Sequence, residues 1–255
     1  MYRMVVTDLD DTLLRDDKTV SELTINTFIR LKEKGIKVVF ATGRSKGNAL
    51  TLVPYDLFDA MITQNGAVVH IGESVIHAIY IPSVDMMQIL RDALSSGVIA
   101  AAETTSGVTY SLAQLDDALS WIPDYKIIND DFICNEIERI LFRYKRESDL
   151  SFLEKCLPES VGYVLGRDGY VQIMHKDATK FKGIVSLCEH YGFSTDEVVA
   201  FGDDMNDISM IAGSGRGIAV ENALPYVKDF ANEVCDTNQK DGMARWLVAN
   251  ILEME

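Results

Sequence analysis

The 255-residue sequence has no long apolar run, no cysteine pair and no excess of positive charge. Without a run of about 18 apolar residues, a membrane span is not expected, and acids among the first ten positions interrupt any signal-peptide pattern. The four cysteines include no CxxC pair and have no histidines at zinc spacing. We therefore expect reduced thiols in a cytoplasmic protein.

Basic residues are also scarce, since 24 Lys and Arg face 39 Asp and Glu, for a formal net charge of −15. An acidic surface repels nucleic acid and anionic membranes, so neither is an expected partner. Its simplest interpretation is solubility, and we expect a monomer or weak homodimer. A small anionic substrate would need a metal ion and local cations to reverse this field.

Short buried-strand patterns alternate with helical patterns at both ends of the chain. A β-branched run at 4–7, a helix that Ser21 can cap and a second run at 36–41 form a βαβ unit. In the last third, helical patterns at 180–190, 204–212 and from about 241 alternate with strand patterns at 198–201 and 217–220. The sequence predicts an α/β fold with a doubly wound, Rossmann-like parallel sheet.

The middle of the chain has a different pattern. Alternating strand-like runs at 107–111, 137–143, 161–165 and 170–174 are mixed with helical patterns at 84–94 and 150–157. Such a mixture favours an inserted α+β domain over a continued parallel sheet. We predict a discontinuous core of residues 1–81 and 178–255 with an insert at 82–177.

Clustered acids follow two of the predicted core strands. Asp8 and Asp10 are two residues apart on an extended segment, so both can face one point at the end of the strand. Asp203, Asp204 and Asp207 follow the strand at 198–201. Crowded carboxylates need a cation or a shared proton, and oxygen ligands suit Mg²⁺. Solvated acidic turns and helix caps are the alternative interpretation, above all for Asp204.

Two further segments could bind an anion. Thr42, Gly43 and Arg44 follow the strand at 36–41 and offer a hydroxyl, an open backbone amide and a guanidinium, although an ordinary strand-to-helix turn is favoured for this segment alone. Lys180 begins a predicted helix, where a positive charge opposes the helix dipole unless an anion lies nearby. Lys182 is two residues away, and spacing alone does not choose between the two lysines.

Together these segments resemble the four ordered motifs of haloacid dehalogenase phosphatases, and most closely the Cof-type group with a large α/β (type IIB) cap. The matching segments are Asp8-x-Asp10-x-Thr12, Ala41-Thr42-Gly43-Arg44, Lys180 and Gly202-Asp203-x-x-Asn206-Asp207, with Gln64-Asn65-Gly66-Ala67 and Ala219 to Ala223. Many relatives have glycine at the positions of Asp11 and Phe181. The segment before Lys180 favours that lysine over Lys182.

The resemblance implies Mg²⁺-dependent hydrolysis of a small phosphorylated metabolite, such as a sugar phosphate or a phosphorylated cofactor. Asp8 is then the nucleophile and Asp10 the acid and base. The implied metal site comprises the carboxylates of Asp8 and Asp203, the backbone carbonyl of Asp10, and Asp207 as a support. The implied phosphate ligands are Thr42, Gly43, Arg44, Lys180 and Asn206. The insert would close over the core and select the substrate.

Other functions also fit parts of the pattern. A phosphomutase would transfer the phosphoryl group to an acceptor other than water. A catalytically idle module would bind Mg²⁺ or phosphate only, but such decay usually removes one of the acids kept here. A receiver-type signalling domain would be about half this length and would not need Asp10 or the insert.

Overall fold

The computed structural model describes residues 2–122, 124–144, 146–166 and 169–253, without the side chains of residues 154–156. The chain forms two compact units. The first combines Met1–Ala78 with Thr179–Glu255, and the second is Ile79–Ala178. The insert predicted from the sequence has bounds of 82 and 177.

The first unit is built around an eight-stranded sheet in the order β14-β13-β12-β1-β2-β3-β4-β5. Its strands are β1 (Met4–Thr7), β2 (Lys37–Ala41), β3 (Ala60–Thr63), β4 (Val68–Ile71), β5 (Ser74–Ala78), β12 (Val198–Gly202), β13 (Arg216–Val220) and β14 (Glu233–Cys235). The strands from β14 to β3 run parallel, whereas β4 and β5 add an antiparallel edge. The predicted α/β core is confirmed, with this hairpin as an addition.

Helices cover both faces of the core sheet, because successive strand residues point to opposite sides. The helices of the unit are α1 (Glu22–Glu33), α2 (Lys46–Leu50), α5 (Lys180–Tyr191), α6 (Ile208–Gly213), α7 (Pro225–Lys228) and α8 (Gly242–Leu247). Phe28 of α1 and Leu247 of α8 pack with Val5 on one face. Ile184 of α5 and Met210 of α6 belong to the cluster on the other face. The sheet is therefore doubly wound.

Hydrogen bonds from side chains to the backbone explain where several helices begin. The Ser21 side chain accepts a hydrogen bond from Thr24 N and caps α1, as the sequence predicts. The helix predicted at 204–212 instead begins with a 3₁₀ turn at Met205–Asp207, and the α-helix starts at Ile208. In this turn the Asp207 side chain accepts hydrogen bonds from the preceding backbone N–H groups of Asp203 and Asp204.

No helix in the described ranges is long and apolar enough to cross a membrane.

The second unit contains a six-stranded sheet in the order β10-β11-β9-β6-β7-β8. Its strands are β6 (Ala101–Thr104), β7 (Thr109–Ser111), β8 (Tyr125–Ile127), β9 (Ile137–Arg143), β10 (Val161–Leu165) and β11 (Tyr170–His175). Helices α3 (Ser83–Ser95) and α4 (Ser151–Cys156) contribute to its main apolar cluster. All neighbouring strands are antiparallel except β7 and β8. The strand predicted at 107–111 is shorter, since Gly107 lies in a turn with a φ of 81°.

Candidate active site

The two acidic segments meet because β1 and β12 are neighbouring parallel strands with Thr7 opposite Phe201. Asp8 continues the pairing, and its backbone N–H donates to Phe201 O over 3.0 Å. Thr12 then connects the segments through its hydroxyl, which donates to Asp203 Oδ1 over 2.8 Å. Side chains 191 positions apart are thus joined at the carboxyl edge of the sheet.

Three buried carboxylates form the centre of the site. Oxygen atoms of Asp8, Asp203 and Asp207 all lie within 4.8 Å of one another. Burial raises the pKa of Asp203 to about 7, and repulsion from Asp207 adds to the rise. Burial likewise raises the pKa of Asp8, although the Lys180 ammonium opposes that shift. Burial thus disfavours the ionised form of these two carboxylates, and a cation bound between them would stabilise that form.

Lys180 lies at the centre of this cluster. It is fully buried, and its Nζ donates to Asp8 Oδ1 over 2.5 Å and to Asp207 Oδ1 over 2.6 Å. Burial opposes its charge, but Asp207 and Asp8 outweigh that effect and raise the lysine pKa. Lys182 is exposed on the surface of α5. Of the two lysines that the sequence offered, the structure brings Lys180 to the acids.

Asp207 reaches the cluster because the chain folds back after β12. Its Oδ2 accepts hydrogen bonds from the backbone N–H groups of Asp203 and Asp204, over 2.9 and 3.0 Å. This return requires glycine at position 202, where an added Cβ would lie 2.5 Å from Asp207 Cβ. Asp204 caps the following turn, as its helix-cap interpretation predicts.

The end of β2 is held by a left-handed turn at residues 64–66. Thr42 O accepts a hydrogen bond from Asn65 N over 2.9 Å, and the Thr42 hydroxyl accepts one from Arg44 N over 3.1 Å. Gly66 has a φ of 102°, and a Cβ there would lie 2.0 Å from Thr179 O. The turn therefore packs tightly between the Thr42–Arg44 segment and the start of α5, which carries Lys180.

Asn206 joins the same turn, since its Nδ2 donates to Asn65 Oδ1 over 2.7 Å. A Cβ on Gly43 would lie 3.2 Å from that Asn65 oxygen. Asn65 thus lies between two of the residues predicted to bind phosphate. The Gln-Asn-Gly-Ala resemblance marked this turn without assigning it a contact.

The Asp10 carboxylate is not part of the three-carboxylate cluster and pairs with two cations. Arg44 Nε donates to Asp10 Oδ2 over 2.6 Å and Arg44 Nη2 donates to Oδ1 over 2.8 Å. Lys18 Nζ donates to the same Oδ1 over 3.0 Å. Partial burial alone would raise the pKa of Asp10, but these hydrogen bonds and charges lower it. In this structure the Arg44 guanidinium binds a carboxylate, and its contact with phosphate stays a prediction.

Sequence reasoning assigned no contact to Thr12 or Lys18. Thr12 belongs to the Asp-x-Asp-x-Thr segment, so a buried hydroxyl beside two acids was a usable signal. Lys18 had no comparable signal, because a lysine eight positions beyond Asp10 in a polar turn is ordinary. Asp11 has a φ of 57°, which explains why glycine suits this position in many relatives.

The donor set fits a hard divalent cation. The carboxylates of Asp8, Asp203 and Asp207 are oxygen ligands of the kind that Mg²⁺ takes in proteins. No sulfur or imidazole ligand belongs to this cluster among the described residues. Burial and repulsion from Asp207 raise the pKa of Asp203 despite the opposing charge of Lys180, so a further positive charge would stabilise its ionised form.

A family model described as haloacid dehalogenase-like hydrolase matches residues 5–247. A Bacillus subtilis protein named 5-amino-6-(5-phospho-D-ribitylamino)uracil phosphatase YitU is 29% identical, with 96% of each chain covered. The phosphatase BT1666 of Bacteroides thetaiotaomicron has a TM-score of 0.83 at 25% identity, covering 98% of this chain and 95% of its own. The subclass IIB sugar phosphatase BT4131 has a TM-score of 0.81 at 23% identity, covering 97% and 98%. The chain belongs to the haloacid dehalogenase superfamily, as a Cof-type phosphatase.

Proposed function

We propose that this phosphatase hydrolyses a small phosphorylated metabolite with Mg²⁺, through a phosphoryl group carried on Asp8. The observation that carries the proposal is the buried Asp8 carboxylate, which shares Lys180 with Asp207 inside a cluster of three acids. A carboxylate in that position can attack phosphorus while neighbouring positive groups offset its repulsion from the phosphate.

In the first step Asp8 attacks phosphorus and the bond to the leaving oxygen breaks. Lys180 stabilises the phosphoryl oxygens, with the Thr42 hydroxyl, the Gly43 amide and Asn206 as further ligands. Asp10, a carboxylate with a lowered pKa in this structure, first takes up a proton from solvent and then gives it to the leaving oxygen. It then takes a proton from the water that attacks the phosphorylated Asp8.

Magnesium would be held by the carboxylates of Asp8 and Asp203 and the backbone carbonyl of Asp10. Asp207 would orient this group through its hydrogen bonds to the backbone N–H groups of Asp203 and Asp204. The ion supplies positive charge that offsets the crowding of carboxylates and phosphate oxygens. Its fit rests on the oxygen donors and the raised pKa of Asp203.

The substrate class is supported by the name of the Bacillus subtilis relative, whose substrate is a phosphorylated ribityl compound. A sugar phosphate or phosphorylated cofactor is therefore the kind of substrate that we propose. The second unit, Ile79–Ala178, would select among such compounds.

The test is release of free phosphate from a panel of phosphorylated metabolites, with and without Mg²⁺. We expect Mg²⁺-dependent release that an Asp8→Asn variant lowers by several orders of magnitude. Asp59→Asn is the matched control, because the Asp59 carboxylate also pairs with a lysine, Lys37 at 3.4 Å, but lies beside the start of β2. Full activity in Asp8→Asn would exclude the proposed nucleophile, and phosphate transfer without release would indicate a mutase.

A further inference from the structure

The turn that follows β3 contains an asparagine in a left-handed backbone conformation. Asn65 has a φ of 55°, and the residue is buried, with only 4% of its surface exposed. Glycine and asparagine adopt this conformation far more readily than most residues, and of the two only asparagine brings an amide. A buried amide needs hydrogen-bond partners, so the partners of Asn65 indicate its role.

Contacts on both sides of the turn fix where the Asn65 amide lies. On one side, Asn65 N donates to Thr42 O over 2.9 Å at the end of β2. On the other side, Gly66 packs against the residue before α5, and an added Cβ at Gly66 would lie 2.0 Å from Thr179 O. The backbone that carries the Asn65 side chain is therefore held by contacts that the side chain itself does not make.

The Asn65 side chain contacts two residues of the proposed phosphate site. Its Oδ1 accepts a hydrogen bond from Asn206 Nδ2 over 2.7 Å, across 141 positions of the sequence. A Cβ on Gly43 would lie 3.2 Å from the same Oδ1 and 3.3 Å from Nδ2, so the amide packs against the Gly43 backbone. The Asn206 amide nitrogen carries two N–H groups, and the bond to Asn65 uses one of them. Because the amide is planar, that bond also fixes the direction of the second N–H group.

We propose that Asn65 is a positioning residue, which orients the Asn206 amide so that its second N–H group donates to a phosphate oxygen of the substrate. This inference rests on the proposed function, in which Asn206 is a phosphate ligand. The turn fixes the Asn65 oxygen before the substrate arrives, so the Asn206 side chain is already ordered when the phosphate binds. Without that acceptor, Asn206 would lose rotamer freedom in each binding event and bind the phosphate more weakly.

Binding of phosphate itself separates this role from general support of the fold. Asn65→Gly removes the amide and keeps the left-handed backbone, and we expect KM for the best substrate of the panel to rise about 10-fold. The inhibition constant of inorganic phosphate should rise by the same factor, whereas kcat should stay within about threefold, because substrate and transition state lose the same contact. General damage to the fold would instead lower kcat and the melting temperature and leave KM unchanged.

A second variant tests whether Asn65 acts through Asn206. Asn206→Ala removes the phosphate ligand itself and should raise the same two constants about 10-fold. The double variant of Asn65→Gly and Asn206→Ala should also show a rise of about 10-fold, whereas independent contributions would multiply to about 100-fold. Asn232→Ala is the matched control, because Asn232 Oδ1 also accepts a hydrogen bond over 2.7 Å, from Gly217 N in β13. It should leave both constants unchanged.

Unchanged KM and phosphate inhibition in Asn65→Gly, or independent losses in the double variant, would overturn the positioning role of Asn65. In either case, Asp8-dependent phosphate release by the unmodified enzyme would leave the proposed function intact. If no Asp8-dependent release occurs with any compound of the panel, the proposed function fails, and the role of Asn65 fails with it.

Discussion

Each buried carboxylate at the carboxyl edge of the core sheet has a specific donor. Asp8 and Asp207 share Lys180, and Asp203 receives the Thr12 hydroxyl. A buried charge that loses its partner is strongly destabilised, so these donors affect both folding and ligand binding. Replacing one donor at a time should therefore show, for each donor, whether it acts mainly on stability or on ligand binding.

Replacement of Thr12 by valine should weaken Mg²⁺ binding. The change keeps the shape of the side chain but removes the donor to Asp203. We expect the Mg²⁺ concentration for half-maximal activity to rise about 10- to 100-fold, as for other residues that orient metal ligands. Thr27→Val is the control, because the buried Thr27 hydroxyl donates to the Leu23 carbonyl within helix α1, away from the acids. Unchanged Mg²⁺ dependence in Thr12→Val would contradict the assignment of Asp203 as a metal ligand.

His70 should make stability depend on pH. Burial, aided by Lys46, lowers its pKa from 6.5 to about 4, so the folded chain binds its proton more weakly than the unfolded chain. Its contribution is therefore complete above the unfolded pKa and is lost as the pH falls from 6.5 towards 4.

Urea unfolding at pH 7.5 and pH 5 measures this effect. Between these values the wild type should lose about 2 kcal/mol more than His70→Gln, because protonation of the unfolded histidine is missing in the variant. His190→Gln, at the exposed end of α5, should behave like the wild type. Identical losses in wild type and His70→Gln would show that His70 is not held neutral.

At the scale of elements, the sequence predicts strands better than their directions. The runs at 4–7, 36–41 and 198–201 are all found as core strands, because short β-branched runs between turns leave few alternatives. The hairpin of β4 and β5 was not anticipated. Two of the five residues of β5 are exposed, and a strand pattern does not say whether the neighbouring strand runs parallel or antiparallel.

The same limit applies to the site. The strand ends predicted from the sequence indicated that Asp8, Thr42 and Asp203 lie at one edge of the sheet, because parallel strands bring their carboxyl ends together there. They could not show whether the long Arg44 side chain binds a phosphate or Asp10, because both choices fit the same backbone. The difference between Lys180 and Lys182 likewise depends on the face of α5 that packs against the sheet.

A substitution in the turn after β12 tests how this element builds the site. In Gly202→Ala the new Cβ would lie 2.5 Å from Asp207 Cβ, so Asp207 must leave its two backbone donors. We expect a loss of about 1–3 kcal/mol in unfolding free energy together with a large fall in kcat. Gly47→Ala in α2 is the control, because no atom lies within 4 Å of the added Cβ and helix propensity improves. Normal activity in Gly202→Ala would show that Asp207 is dispensable.

At the scale of the whole molecule, the formal net charge of −15 makes a bound cation favourable for the folded chain. The unfolded chain separates Asp8 from Asp203, so Mg²⁺ should bind the folded state selectively. Mg²⁺ at ten times its dissociation constant should add about 1.4 kcal/mol, visible as a rise of a few degrees in melting temperature. Asp203→Asn should abolish the rise without any assay of activity. An equal rise in that variant would place the bound Mg²⁺ elsewhere.

The most direct measurement is of the enzyme quenched in acid during turnover of its best substrate, digested and examined by mass spectrometry. The account predicts the mass of one phosphoryl group on the peptide that contains Asp8, lost on treatment with hydroxylamine. It also predicts that no phosphoryl group is found in Asp8→Asn. Rapid turnover with the phosphoryl group on another residue, or with none on the enzyme at any time, would contradict it.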